Sequence, residues 1–338
     1  MSPTGKNIIK YSITFAIAVL IFWYVLSKID IQDMMGKILS ADFRWVGLAL
    51  AASILSHVSR AYRWNILMEP LGHKPSLRNT FLAVMVGYFA NLVAPRMGEV
   101  SRCVVLTKIE DVPFNSSFGS VVAERAFDLI CLLCLLGIAF FIEIDKFGEF
   151  FQQYLSPGAS KYYLISGGLF VVIIGAIIFY NFRTVLLQNP YVKKLADFLF
   201  GVWQGVTSIG KIKRRGLFLL HTFIIWFLYF MMSYLVFFAM PETSSLGIRA
   251  GLLILVVGGL GMSAPVQGGI GVFHKLVAAA LFLFYDIPEN DGIAYAFVVH
   301  TSQTLIIILV GGLCLLFSMF ISKKKLKLAK KQPLICEN

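Results

Sequence analysis

Charged residues are scarce in this chain of 338 residues. Only 14% of them are Asp, Glu, Lys or Arg, whereas 58% are hydrophobic, and the mean hydropathy is +0.79. A soluble domain needs far more charge on its surface, so this composition excludes one. The long apolar runs that remain indicate a protein that crosses a membrane several times.

The sequence also lacks the motifs of common enzyme and cofactor sites. Its five cysteines have no disulfide-framework spacing, and Cys131 and Cys134 lie in an apolar helix, where we expect them to pack. Its five histidines are scattered, without a second ligand one turn away. P-loop, nucleophile-elbow and dinucleotide motifs are absent. We therefore expect no cofactor, no metal, no enzymatic activity and no ATP-driven transport by this chain alone.

Eight apolar stretches organise the chain into what we expect to be one integral membrane domain, residues 1–338. Two of them, 77–95 and 248–285, contain or end at a helix-breaking loop. The others are long enough to cross about 30 Å of hydrocarbon as helices, and the first is expected to be a retained signal anchor. These six are residues 8–26, 45–64, 118–142, 162–182, 216–240 and 293–321. The expected fold is an all-α polytopic membrane protein with two broken hairpins.

The two broken stretches share a short motif. Residues 91–102 read N-L-V-A-P-R-M-G-E-V-S-R and residues 261–271 read G-M-S-A-P-V-Q-G-G-I-G, so both contain Ala-Pro-x-x-Gly. In hydrocarbon a broken helix is tolerated only where protein or a water-filled cavity covers its backbone groups. Two such breaks in corresponding halves predict a binding site between them. The expected hinges are Pro95, Gly98, Pro265 and Gly271.

Basic residues predict the orientation of these stretches. The loop 183–215 carries seven Lys and Arg residues and one acid, and the tail 322–338 carries six Lys. The positive-inside rule makes both cytoplasmic, with both termini, in a bacterial-type cytoplasmic (inner) membrane. Because these basic residues lie beside membrane segments, the net charge of +12 does not indicate nucleic acid.

These assignments agree only if residues 77–95 and 248–285 each return to the side from which they enter, and do so from opposite faces. We therefore predict two inverted units, residues 45–142 and 216–320, each built as helix, hairpin, helix. The alternative is two unrelated kinks.

Charged side chains cluster near the first break. A charge at the bilayer centre costs about 2.5 to 3.5 kcal/mol, so each needs a partner or a function. Glu99 and Arg102 lie one turn apart, and Glu124, Arg125 and Asp128 follow inside the next apolar stretch, where Arg125 can reach Asp128. In one interpretation the cluster is purely structural, and its ion pairs support the re-entrant loop. In the other, the arginines bind a phosphate, and the acids either position these arginines or accept protons.

Arg60, Arg63 and Trp64 share one face at the end of the second apolar stretch. They form either an interfacial anchor or a clamp for a lipid headgroup. If Gly98 and Gly268 open new helices, their backbone N–H groups also favour an anion. The alternative role of the glycines is tight packing of the hairpins.

Three motifs in this order resemble the lysylphosphatidylglycerol synthetase transmembrane family. They are N-x-x-x-P-x-x-G-E-x-x-R at 91–102, E-R-x-x-D at 124–128 and P-x-x-G-G-x-G at 265–271. The pair Arg63 and Trp64 is also similar, and the resemblance covers nearly the whole chain. In the synthetases this flippase-like region is implicated in moving an aminoacylated lipid between leaflets, while a separate soluble domain makes the lipid. The resemblance implies a stand-alone lipid-handling protein, since we expect no such soluble domain here.

The chain departs from the family pattern near the second break. His274 and Lys275 stand where many members carry a glutamate, and Gln267 stands where a proline is expected. These changes make the second half of the site more cationic, unless Lys275 points outward. An anionic lipid or a polyprenyl-phosphate-linked lipid then fits better than a lysyl-lipid.

We therefore expect a flippase-like transporter that moves such a headgroup between leaflets, either downhill or coupled to an ion through Glu99, Glu124 or Asp128. The alternatives are a lipid-phosphate transferase, with Glu99 or Asp128 as base, and a membrane partner of a lipid synthase or glycosyltransferase. The expected partners are membrane lipids, with a lipid-synthesising enzyme or a second copy of the chain as further ones. The headgroup-binding candidates are Arg60, Arg63, Trp64, Asn91, Arg96, Arg102, Arg125, Gly268, Gly269, His274 and Lys275.

Overall fold

The computed structural model describes residues 31–146, 212–264 and 266–331. The chain divides into two compact units, residues 1–122 with 212–338 and residues 123–211, which are treated separately below. Several predicted features lie outside the described residues: stretches 8–26 and 162–182, residues 183–211 of the basic loop, the hinge Pro265 and the end of the tail, 332–338.

All regular elements in the described residues are helical. The α-helices are α1 Ile31–Leu39, α2 Phe43–Met68, α3 Leu77–Val93, α4 Met97–Glu110, α5 Phe114–Ile142, α6 Arg215–Phe237, α7 Ile248–Ser263, α8 Val272–Tyr285 and α9 Glu289–Lys331. Within this part of the chain, four stretches are long and apolar enough to cross a membrane: Phe114–Ile142, Arg215–Phe237, Gln267–Tyr285 and Glu289–Ser322. The prediction of an all-α polytopic membrane protein is confirmed.

The helices α2 and α6, which precede the two broken stretches, pack against each other in antiparallel directions. At one end the backbone N–H of Asp42 donates to the carbonyl of Ala239 at 2.8 Å. Towards the other end the hydroxyl of Ser59 lies 2.8 Å from Nδ1 of His221. This pair forms the scaffold against which the broken stretches pack.

Helices α3 and α4 form an antiparallel hairpin, the first hairpin. At its base, the carboxylate of Glu110 accepts a hydrogen bond from the side-chain amide of Asn79 at 2.7 Å. Nearer the tip, a Cβ placed on Gly87 would lie 2.9 Å from the carbonyl oxygen of Gly98, so the two helices meet backbone to backbone. The chain therefore returns to the side from which α3 enters, as the sequence predicts.

Helices α7 and α8 form the second hairpin. A Cβ on Gly261 of α7 would lie 2.9 Å from Cα of Phe273 on α8, so this pair is also closely packed. Its tip is longer than the first, because residues Gln267–Gly269 make a 3-10 turn before α8 begins. Gly268 lies in this turn and does not open a helix, so the condition under which its N–H group would favour an anion is not met. Gly271, with a φ of 82°, precedes the first residue of α8 instead.

Helix α9 contacts the two hairpins one after the other. Gly292 packs against α8, His300 Nε2 donates to the carbonyl of Gly268 at 2.7 Å, and Gly311 packs against Phe89 of α3. At 1.5 Å per residue, these contacts lie about 12 Å and then about 16 Å apart along α9. The two hairpins are therefore stacked along α9, the second beside its first half and the first beside its second half.

The tips of the two hairpins face each other. A Cβ on Gly268 at the second tip would lie 3.2 Å from Cδ2 of Leu92, next to the end of α3. The base of the first hairpin lies at the end of the unit where Arg214 pairs with Glu69 at 3.3 Å. The second hairpin has its base at the opposite end. The two hairpins thus enter the unit from opposite sides.

The return arms of the hairpins share features beyond the Ala-Pro-x-x-Gly motif. Helices α4 and α8 are each 14 residues long. Each ends at an aspartate in the left-handed conformation, Asp111 with φ 56° and Asp286 with φ 55°. The chain then continues as Asp-Val-Pro and Asp-Ile-Pro. These features favour a repeat over unrelated kinks, but the boundaries 45–142 and 216–320 stay a prediction, since α5 extends into the other unit.

Substitution of Gly87 tests the close contact within the first hairpin. Gly87→Ala places a methyl group against the Gly98 carbonyl, and such overpacking costs about 1–3 kcal/mol. We expect a lower thermal unfolding midpoint for the purified protein. Gly47→Ala is the matched control, because a Cβ on that helical glycine meets nothing within 4 Å. Equal midpoints for the two variants would contradict the hairpin contact.

Candidate functional site

Three arginines lie inside the larger unit. Arg60 and Arg63 on α2 are 3% and 0% exposed, Arg102 on α4 is 3% exposed, and Trp64 beside them is fully buried. Arginines that anchor a helix at the membrane surface keep their guanidinium groups in water. The burial of these side chains disfavours the interfacial anchor, and their role as a clamp for a headgroup stays a prediction.

Tyrosine side chains hold Arg60 between α3 and α6. Nη1 of Arg60 donates to the hydroxyl of Tyr88 at 2.7 Å, and its guanidinium lies 5.9 Å from the ring centres of both Tyr88 and Tyr229. The two tyrosine hydroxyls are 3.3 Å apart. Arg60 therefore has a fixed position beside two hydroxyl groups that can each donate a hydrogen bond.

Arg63 and Arg102 lie against aromatic faces. Nη1 of Arg63 donates to the Thr222 hydroxyl at 3.2 Å, and its guanidinium lies 5.6 Å from the Phe218 ring centre. The guanidinium of Arg102 lies 4.7 Å from the centre of the Trp64 ring. Such cation–π contacts orient a guanidinium over a ring. These hydroxyl and aromatic groups are contacts of the arginine cluster, Arg60, Arg63 and Arg102.

The hydroxyl and aromatic partners of the cluster were not found from the sequence. These partners are Tyr88 on α3, Ser120 on α5, which accepts from Trp64 Nε1 at 2.8 Å, and Thr222 and Tyr229 on α6, so they come from three different helices. One signal is available: tyrosines at 88 and 229 lie in the middle of apolar stretches, where a buried hydroxyl needs a partner. Sequence spacing does not reveal which arginine they meet.

Asn91 has a structural contact at the first tip. Its Oδ1 accepts a hydrogen bond from the Gly98 N–H at 2.7 Å, which satisfies one of the first amides of α4. The expectation that the Gly98 N–H is available to an anion is therefore corrected. Pro95 lies in the turn between the helices, and Arg96, exposed and with a φ of 63°, directly precedes α4. Of the predicted tip residues, Arg96 brings its charge to the surface of the tip.

The second tip is less cationic than the sequence suggests. His274 is 3% exposed, and its Nδ1 accepts from the Gly271 N–H at 3.3 Å, which requires an unprotonated nitrogen. Lys275 forms an ion pair with Glu289 at the surface. Neither side chain adds a charge to the tip, so the expected gain in positive charge is corrected.

The two tip glycines Gly268 and Gly269 serve close packing. The carbonyl of Gly268 accepts from His300, and a Cβ on Gly269 would lie 2.7 Å from the sulfur of Met262. Both have positive φ, 57° and 74°, which other residues rarely adopt. Their role in approaching a headgroup stays a prediction.

The remaining predicted acids divide between the two units. Glu99 lies on α4, one turn before Arg102. In the smaller unit, Nη2 of Arg125 lies 3.6 Å from Glu124 Oε1, and its Nη1 lies 4.0 Å from Asp128 Oδ2. The predicted ion pair of Arg125 with Asp128 is thus present, and Glu124 joins it. In the part of the chain that the structure describes, no group of three His, Cys, Asp or Glu side chains is arranged to hold a metal.

Comparison with known proteins gives the family. The sequence model of the lysylphosphatidylglycerol synthase transmembrane region matches residues 11–311. The chain belongs to this family. The resemblance read from the three motifs is confirmed.

Similar curated proteins extend the comparison. A UPF0104 membrane protein of Methanocaldococcus jannaschii is 29% identical over 57% of this chain and 55% of its own length. One of Pyrococcus horikoshii is 22% identical over 92% of this chain and 97% of its own length. Glycosyltransferase AglD of Haloferax volcanii is 28% identical over 32% of this chain and 18% of its own length. No solved structure matches.

Variants of Asn91 separate its capping contact from a role in binding. Loss of a capping side chain costs about 0.5–2 kcal/mol, so Asn91→Ala should lower the thermal unfolding midpoint. Asn91→Asp keeps the acceptor beside the positive end of α4 and should preserve it. If Asn91→Ala kept the wild-type midpoint and weakened only the binding of an added anionic lipid, the capping role would be wrong and headgroup binding favoured.

Proposed function

We propose that this protein is a flippase-like membrane transporter. It binds an anionic phospholipid or a polyprenyl-phosphate-linked lipid and moves the headgroup between leaflets. The observation that carries the proposal is the burial of Arg60, Arg63 and Arg102 beside the first hairpin. Membership of the lysylphosphatidylglycerol synthase transmembrane family supports the same class of function.

The chemistry of the arginine cluster suits a phosphate. Guanidinium groups bind phosphate oxygens through two parallel hydrogen bonds, and the attraction is stronger inside a protein than in water. The Thr222 hydroxyl accepts from Arg63 and donates to the Phe218 carbonyl, so it orients the arginine, whereas the Tyr88 hydroxyl, which accepts from Arg60, can add a donor for a third oxygen. A zwitterionic headgroup would bring a cation into the same region, so the site should favour anionic lipids.

The hairpins supply a route for the headgroup. Transporters with inverted repeats bind their cargo between broken helices near the middle of the bilayer. Here the tips of the two hairpins meet between the ends of the unit, close to α3 residues that contact the cluster. Because the sequence carries no nucleotide-binding motif, the movement is downhill or coupled to an ion, with Glu99, Glu124 and Asp128 as the candidate acids.

Charge at the two ends of the larger unit supports an orientation. The end that holds the base of the first hairpin carries exposed Lys74, Arg78 and Lys108, followed by residues 213–215, which are all basic. The opposite end carries five acids and four basic residues, so it is less basic than the first: Asp42, Glu242, Asp286, Glu289 and Asp291 with Lys37, Arg44, Arg249 and Lys275. By the positive-inside rule, we propose that the first hairpin opens to the cytoplasm and that the C-terminus lies there, in the cytoplasmic membrane.

Lipid movement in proteoliposomes tests the proposal. The purified protein is reconstituted with fluorescent phosphatidylglycerol or phosphatidylcholine, and an impermeant quencher reports how fast the inner-leaflet label becomes accessible. We expect protein-dependent movement of phosphatidylglycerol that Arg102→Ala lowers about tenfold or more, since a charge-assisted hydrogen bond is lost. Arg44→Ala is the matched control, because this arginine of the same bundle is exposed.

The outcomes separate selectivity from folding. Arg102→Lys keeps the charge and should retain part of the activity. Only variants whose thermal unfolding midpoints match that of the wild type are compared. Equal movement of both lipids, unaffected by Arg102→Ala, would contradict an anion site at the cluster. If well-folded protein moved neither lipid, nor a polyprenyl phosphate tested in the same way, the transport proposal would be wrong.

A membrane partner of a glycosyltransferase is the second candidate. The observation that favours it is the similarity to glycosyltransferase AglD, which extends over 111 residues of this chain. Such a partner would present a lipid-linked sugar to a separate enzyme. Purification under mild detergent tests this: a soluble glycosyltransferase at one copy per chain would favour the partner role, provided that the protein alone moves no lipid.

A further inference from the structure

Gln267 is a buried polar side chain at the tip of the second hairpin. It is 6% exposed, and its Oε1 has no hydrogen-bond partner among the residues that the structure describes. It lies in the 3-10 turn next to Gly268, which contacts Leu92 of the first hairpin. An acceptor without a partner therefore lies where the two tips meet.

Gln303 on α9 provides a second amide side chain near the tip of the second hairpin. It follows His300, which donates to the Gly268 carbonyl, by three residues, or about 4.5 Å along α9. Eight residues further on, Gly311 contacts α3. Both Nε2 and Oε1 of Gln303 are enclosed, and neither has a hydrogen-bond partner within the described ranges. Gln303 thus lies between the contact of α9 with the second tip and its contact with the first hairpin.

Two more enclosed polar atoms lie between these amides and the arginine cluster. The ring of His57 lies 4.4 Å from that of Tyr88, and the ring of Trp226 lies 6.0 Å from that of Tyr229. Both tyrosines contact Arg60. Nδ1 of His57 and Nε1 of Trp226 also have no hydrogen-bond partner in the described part of the chain. On α3, Tyr88 lies one turn before Leu92, which reaches the tip junction.

Such groups carry a cost in the folded protein. A buried donor or acceptor without a partner costs about 1–3 kcal/mol, and a leucine of similar size would avoid this cost. Buried polar groups of this kind call for an explanation, and a ligand that satisfies them is one. The amides are uncharged and offer both a donor and an acceptor. Hydroxyl groups of glycerol or a sugar match this pattern, whereas a phosphate accepts only.

We propose that Gln267 and Gln303 form an uncharged subsite at the tip junction that binds the hydroxyl groups of the cargo headgroup. The arginine cluster binds the phosphate, and the subsite selects cargo whose headgroup carries hydroxyls beyond the phosphate. This inference rests on the proposed function, because it requires a lipid headgroup to reach the tips.

A pair of lipids with equal charge tests the subsite. Phosphatidylglycerol and phosphatidylethanol are both phosphodiesters with one negative charge, but only the first has headgroup hydroxyls. Movement of each is measured in proteoliposomes for the wild type, Gln267→Leu and Gln303→Leu. We expect each variant to slow phosphatidylglycerol about tenfold, the effect of losing about one hydrogen bond in an enclosed site, and to leave phosphatidylethanol within about twofold.

Ser302→Ala and thermal stability provide the controls. The hydroxyl of Ser302, next to Gln303, already donates to the Val299 carbonyl, so its removal should not change the ratio between the lipids. The leucine variants should unfold at or above the wild-type temperature, because they remove a buried polar group without a partner. A lower midpoint with equal slowing of both lipids would show a structural role and overturn the subsite.

The remaining outcomes separate the two proposals. If the wild type moves both lipids and the leucine variants treat them alike, the uncharged subsite is wrong and the transport function stands. If the well-folded wild type moves neither of these lipids nor a polyprenyl phosphate, the proposed function fails and the subsite fails with it; movement of polyprenyl phosphate alone would overturn the subsite and leave the transport function standing.

Discussion

The fold depends on how the backbone N–H and C=O groups at its two helix breaks find hydrogen-bond partners within the protein. At each break the chain leaves the helical path, and its backbone groups need partners, since hydrocarbon supplies none. The first break is covered by Asn91, which accepts from the Gly98 N–H, and the second by His300, which donates to the Gly268 carbonyl. Contact between Leu92 and Gly268 then places the two tips against each other.

This arrangement explains why the arginine cluster lies where it does. Glycines at 87 and 98 let α3 and α4 meet backbone to backbone, so Arg102 on α4 lies against Trp64 of α2. Helix α6, antiparallel to α2, brings hydroxyl and aromatic groups to the two other arginines. The cluster and the tips are thus positioned by the same helix contacts, and a change in one should alter the other.

Much of this could be predicted from the sequence, and the reason lies in particular residues. The Ala-Pro-x-x-Gly breaks, the basic loops and the apolar lengths indicate the hairpins because they act locally or through the membrane. The tip details could not be predicted: Gly271 rather than Gly268 precedes α8, and His274 accepts a backbone N–H instead of adding charge. Partners such as Tyr88 and Thr222 depend on which helices pack together, which residue spacing does not reveal.

The central claim, that the two hairpins enter from opposite sides of the membrane, is tested most directly by side-specific labelling. In a background without the native cysteines, Lys108→Cys marks the base of the first hairpin and Ser245→Cys that of the second, and both positions are exposed. An impermeant thiol reagent added outside intact cells should modify Cys at position 245 and reach position 108 only after the membrane is opened. Modification of both positions from the same side would contradict the account.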